Sequence, residues 1–92
     1  MQSRMMNYHY DKAGRQQVGV CLVVDGRSTL HIVMLRGRGL IHFTKPKSEE
    51  QYMSPANITL KKGLSSLGGV ARRKGSTKAA RTWMAKAREA IA

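Results

Sequence analysis

Hydrophobic and polar positions alternate along the first half of the chain and recur with helical spacing in its last third. From Met5 to Tyr10, Met6, Tyr8 and Tyr10 alternate with Asn7 and His9, the pattern of a half-buried strand. From Gln16 to Val24, Val18, Val20, Leu22 and Val24 fall on one face and Gly19, Cys21 and Val23 on the other. Thr29 to Arg36 divides in the same way, with Leu30, Ile32 and Met34 against His31, Val33 and Leu35, and Leu40 to Lys45 reads as a fourth strand. The links between these runs, Asp11-Lys12-Ala13-Gly14, Asp25-Gly26 and Gly37-Arg38-Gly39, are turn sequences; in the first, Asp starts the turn and Gly supplies the positive φ at its end. Links this short join antiparallel neighbours, which predicts a four-stranded meander over residues 5–45.

Pro46 has no N–H for a ladder, so the fourth strand is expected to end at Lys45 and Pro46–Glu50 to form an exposed loop. Ser54-Pro55 reads as a break that also suits a helix start, with Ser as N-cap and Pro in the first turn. Ala56, Leu60, Leu64 and Leu67 then share a helical face, although Gly63 leaves a short strand over 57–60 as the alternative, and Gly68-Gly69 would end the element. Ser76 or Thr77 is placed to cap the last helix, Lys78 to Ile91, which contains no Gly or Pro. Ala80, Trp83, Met84, Ala87 and Ile91 share one side of it, Lys78 and Lys86 point away, and Arg81 and Arg88 line a flank. The expected fold is α+β: one domain over 1–92, a β-meander at 5–45, and a helical, basic half at 55–91 with both helices packed on one face of the sheet.

Charge changes the picture most. The 92 residues hold 17 Lys and Arg against five Asp and Glu, net +12, and such self-repulsion implies a negative partner. The second half is the more lopsided, with nine cations and Glu89 alone after residue 60. Lys61, Lys62, Arg72, Arg73, Lys74, Lys78 and Arg81 are candidate nucleic-acid contacts there, because Arg-Arg-Lys ahead of a helix start adds side-chain charge to free backbone N–H groups. Arg36 and Arg38 are a second candidate pair, at a hairpin tip where two guanidinium forks would face solvent. Only five aromatic residues are present, which favours phosphate contacts over base stacking and predicts steep salt dependence.

Catalysis has little to stand on. Asp11 and Asp25 fall in turns, Glu49 and Glu50 in a loop and Glu89 on a cationic helix face, so no carboxylate pair sits in apolar sequence. His9, His31, His42 and Cys21 have no zinc-like spacing, and Cys21 in Gly-Val-Cys-Leu-Val-Val reads as a small buried apolar residue. The expectation is a non-enzymatic protein without metal or cofactor. A lone Cys, no signal-like N-terminal stretch and no apolar run long enough to span a bilayer point to the cytosol, with no membrane and no small-molecule substrate as partner.

Arg36-Gly37-Arg38-Gly39-Leu40-Ile41-His42-Phe43 resembles the octamer of the RNA recognition motif at Arg36, Gly37, Gly39, Ile41 and Phe43. Arg38 and Leu40 stand where that module keeps aromatics, and neither early turn has room for its first helix, so its fold is not expected. In size, single domain, lack of a catalytic motif and unbalanced charge, the chain is similar to small basic proteins of phages and mobile elements, including anti-CRISPR inhibitors of surveillance complexes. That group is defined by role and shares no motif. The resemblance implies docking on an RNA–protein complex with Arg and Lys on guide RNA. The expected partner is therefore RNA or a ribonucleoprotein complex; the alternatives are an adaptor gripping an acidic protein surface and a small DNA-binding regulator.

Overall fold

The computed structural model describes residues 2–12, 15–73 and 75–91, without the side chains of 10–12 and 15–18. Its elements run β1 (Ser3–Lys12), β2 (Arg15–Asp25), β3 (Thr29–Arg36), β4 (Gly39–Pro46), a 3-10 helix (Lys47–Tyr52), β5 (Met53–Pro55), α1 (Leu60–Ala71) and α2 (Lys78–Ile91). The architecture is α+β, an antiparallel sheet in the order β4-β3-β2-β1-β5 with two helices on one face. The turns predicted from Asp-Gly and Gly-Arg-Gly lie at the ends of β2 and β3, and the Gly26 N–H closes the first by donating to the Thr29 carbonyl at 2.8 Å. Residues 13–14 of the first expected turn lie outside the described residues, but Lys12 pairs with Arg15 across them.

The sheet has five strands where the alternation predicts four. Met53-Ser54-Pro55 pairs with Tyr8-Asn7-Met6, so Ser54-Pro55 is an edge strand and not a helix start. Pro55 is tolerated because it sits at the edge, where a missing donor costs little. Ser54 Oγ lies 3.3 Å from His9 Nε2 instead of capping a helix. The first helix begins at Leu60, where Thr59 accepts a hydrogen bond from the Lys62 N–H at 3.2 Å. It runs straight through Gly68-Gly69 to Ala71, because burial of Leu64, Leu67, Gly68 and Ala71 outweighs the poor helix propensity of glycine. Pro46 closes β4, and the expected loop after it is the 3-10 helix.

Both faces of the sheet are buried, for different reasons. On one face Met5, Leu22, Val24, Val33 and Leu40 meet Leu64, Leu67 and Ala71 of α1 and Ala80, Met84 and Ala87 of α2. The small side chains of Ala80 and Ala87, about two helical turns apart, let α2 lie close to the strands. On the other face Met6, Tyr8, Cys21, Val23, Leu30 and Ile32 are buried although neither helix covers them. A flat sheet would leave that face wet. The 3-10 helix touches β1, β4 and β5, so it draws the two sides of the sheet together over this second core. Phe43 and Tyr8, on strands at opposite sides of the sheet order, meet edge to face with ring centroids 5.6 Å apart, which is possible only in a strongly curled sheet. Arg4 fastens the closure, paired with Asp25 at 2.5 Å and with Glu50 of the 3-10 helix.

Candidate nucleic-acid interface

The two basic runs separated in sequence meet in space. Gly37 takes φ +60°, which only a residue without a Cβ adopts freely, and turns the chain between Arg36 and Gly39. Arg36 and Arg38 are exposed on that tip. Behind them, Gly39 packs on the linker between the helices so closely that a methyl group there would lie 2.7 Å from the Gly75 carbonyl oxygen. Gly75, at φ +111°, shapes the linker for that approach. The Thr77 N–H donates to the Leu40 carbonyl at 3.2 Å, and Thr77 Oγ1 accepts from the Ala80 N–H at 3.1 Å, so one residue joins β4 to the start of α2. Ser76, the other expected cap, instead donates to the Val70 carbonyl at the end of α1.

This hinge of contacts brings Arg36, Arg38, Arg72, Arg73, Lys78 and Arg81 to one end of the molecule, all of them exposed. Lys74 lies outside the described residues. Lys61 and Lys62 do not join this group. They occupy the first turn of α1, about 16 Å along the helix axis from Arg72, since each residue rises about 1.5 Å. Among the described residues the ion pairs are Arg4–Asp25, Arg4–Glu50 and Lys45–Glu49, none of which involves the cationic end. Arg72 Nε donates to the Gly68 carbonyl, and Arg88 also packs against Gly68. The first turn of α2 has no acidic residue to oppose its dipole, only Lys78 and then Arg81.

A second cluster could not be read from spacing alone. His31 on β3, His42 on β4 and Trp83 on α2 form a stack along the sheet–helix seam. The His31 ring lies 3.6 Å from the indole and 17° from parallel with it, and His42 lies 5.2 Å from His31. His31 Nδ1 and His42 Nε2 are 3.0 Å apart, and the Lys86 ammonium sits 4.2 Å from the Trp83 ring centroid. Lys86 therefore folds onto Trp83, three residues earlier, and does not point away from it as helical spacing suggested. Burial, followed by the positive charge that His42 and Lys86 place nearby, holds the His31 pKa below its usual value, and burial lowers that of His42.

The conceivable Cys–His ligand set is divided by the sheet. Cys21 belongs to the core that the curled sheet encloses, while His31 and His42 are on the helix side. Among the described residues no group of three or more His, Cys, Asp or Glu is arranged to hold a metal. Burial pushes the Cys21 thiol up to about 12, and its Sγ faces the Met6 carbonyl at 3.5 Å. The octamer shared with the RNA recognition motif offers no stacking platform: Leu40 is fully buried under the helices and Phe43 packs against Tyr8. No family model, no curated protein and no solved structure matches this chain.

Proposed function

We propose that the chain is a non-enzymatic binding protein that engages RNA, alone or within an RNA–protein complex, through the cationic end built by the β3–β4 tip and the linker into α2. The observation that carries this reading is the Gly39–Gly75 contact, which holds two remote basic runs side by side. Six exposed cations gathered without a carboxylate among them repel one another, and a run of phosphates relieves that repulsion. An anion at the start of α2 also satisfies free N–H groups and offsets the positive end of the helix dipole, to which Lys78 only adds. Arg36 and Arg38, with planar forks, are the residues best suited to grip phosphate bidentately, while Lys78 contributes charge.

Fluorescence anisotropy with a labelled single-stranded RNA, measured from 50 to 300 mM salt, tests the reading. With four to six phosphates engaged, the slope of log K against log salt is expected at about −3 to −4. Arg36→Glu with Arg38→Glu, and separately Arg72→Glu with Arg73→Glu, should weaken binding and flatten that slope. Lys61→Glu with Lys62→Glu, at the far end of α1, should do so less. Binding that ignores all three pairs, or that is seen only with an acidic protein surface, overturns it.

A further inference from the structure

Away from the cationic end, at the opposite end of β3, Gln2, Asp25, Gly26, Arg27, Lys47 and Trp83 line an open groove. Arg27 and Lys47 are exposed on it and form no ion pair among the described residues. The acid in the groove, Asp25, is already held by Arg4 at 2.5 Å, so the groove presents two uncommitted cations and an indole. Trp83 is half-buried and is held in the ring stack with His31 and His42, so its orientation is set before anything binds. The Lys86 ammonium, on a flexible and exposed stem, also lies over the ring, 4.2 Å from its centroid.

We infer that this groove is a nucleotide subsite, in which a base of single-stranded RNA displaces the Lys86 ammonium from the Trp83 indole and Arg27 and Lys47 take the adjoining phosphate. Stacking a base on an aromatic ring is sequence-tolerant because every base has a π-face. A ring already fixed by two neighbours loses little conformational freedom when it binds. The displaced Lys86 remains beside the strand as a further phosphate contact. Exchange of a cation–π contact at an exposed site for a desolvated stack is favourable, since the former is weak where water competes. The subsite rests on the RNA-binding reading above and extends it: β3, about 24 Å from Thr29 to Arg36, separates the groove from the cationic tip, so one strand of RNA would engage both.

Trp83 is the single tryptophan of the chain, so its fluorescence reports on the subsite directly. A short oligouridine RNA should quench Trp83 saturably, whereas inorganic polyphosphate of equal charge should bind without that quench. Arg27→Glu with Lys47→Glu, both on exposed side chains, should abolish the quench and weaken the RNA at least about fivefold, the lower limit expected for a lost base stack. Circular dichroism of this variant should match the parent. Anisotropy separates the two proposals: RNA binding that persists with no quench and with no effect of the groove pair removes the subsite and leaves the cationic end standing. Absence of RNA binding at any salt removes both. Equal quenching by polyphosphate and RNA also overturns the subsite, because it would reflect charge and not a base.

Discussion

His31 Nδ1 lies 3.0 Å from His42 Nε2, a separation at which one imidazole donates and the other accepts, so the pair holds together only while at least one ring is neutral. Both rings have a folded-state pKa below the usual value, His31 through burial and then the charge of His42 and Lys86, His42 through burial. The unfolded chain then binds protons more readily than the folded one. The stabilising contribution is complete above the ordinary histidine value of about 6.5 and is lost as pH falls below it through the lower folded values. Thermal unfolding between pH 8 and pH 5 should show a Tm that declines below about 6.5. His31→Gln with His42→Gln keeps hydrogen-bonding side chains and removes both titrations, so its decline should be shallower. Parallel curves for the two proteins would count against the pair as the cause.

Cys21 tests the second core. It is fully buried, and its thiol, raised to about 12, carries almost no thiolate at neutral pH. The native protein should react with a thiol-specific disulfide reagent orders of magnitude more slowly than the unfolded chain, and denaturant should release one equivalent. Rapid native reaction would show that the curled sheet opens on the timescale of the assay.

Three glycines inside α1 differ in what surrounds them, and the difference predicts a stabilising substitution. A Cβ on Gly63 would run into the Met5 side chain at 2.7 Å, inside the core. On Gly69 it would meet nothing within 4 Å, and the residue is exposed. Gly69→Ala therefore gains helix propensity without a steric cost and should raise stability by about 0.5–1 kcal/mol. Urea unfolding of the pair measures it, and a lower midpoint for Gly69→Ala would mean that α1 is not continuous through Gly68-Gly69.

What was legible in the chain followed from local signals. Period-2 runs between Asp-Gly and Gly-Arg-Gly turns mark β2, β3 and β4 within about a residue, and an Ala-rich segment without Gly or Pro marks α2. β5 was not legible, because three residues ending in proline carry no periodicity and gain their ladder only from β1. The start of α1 was missed for a related reason: Ser54-Pro55 has the chemistry of a helix start, and only pairing with Met6 shows that it is spent on the sheet. The histidine stack depends on the β3–β4 register, which pairs Val33 with His42 and so sets His31 diagonally across from it, and on the depth at which α2 docks. The candidate cations were legible as residue types. Their division into a gathered group and the separate Lys61-Lys62 pair was not, since it rests on a contact between residues 39 and 75.

That contact gives the sharpest test of the cationic end, because it can be broken without changing a charge. Gly39 has ordinary backbone angles, so alanine there meets no intrinsic strain, but its methyl would sit 2.7 Å from a backbone oxygen that cannot rotate away. The linker must move, and overpacking of this kind costs about 1–3 kcal/mol. Gly37 is the opposite case, at φ +60° with nothing within 4 Å, so Gly37→Ala costs about 1 kcal/mol of backbone strain while leaving the linker in place. Both variants should unfold at lower urea than the parent. Gly39→Ala alone should also weaken RNA and reduce the salt slope, because it separates Arg36 and Arg38 from Arg72, Arg73, Lys78 and Arg81. If the two alanines weaken RNA equally at matched stability, the juxtaposition of the two basic runs is not what binds it.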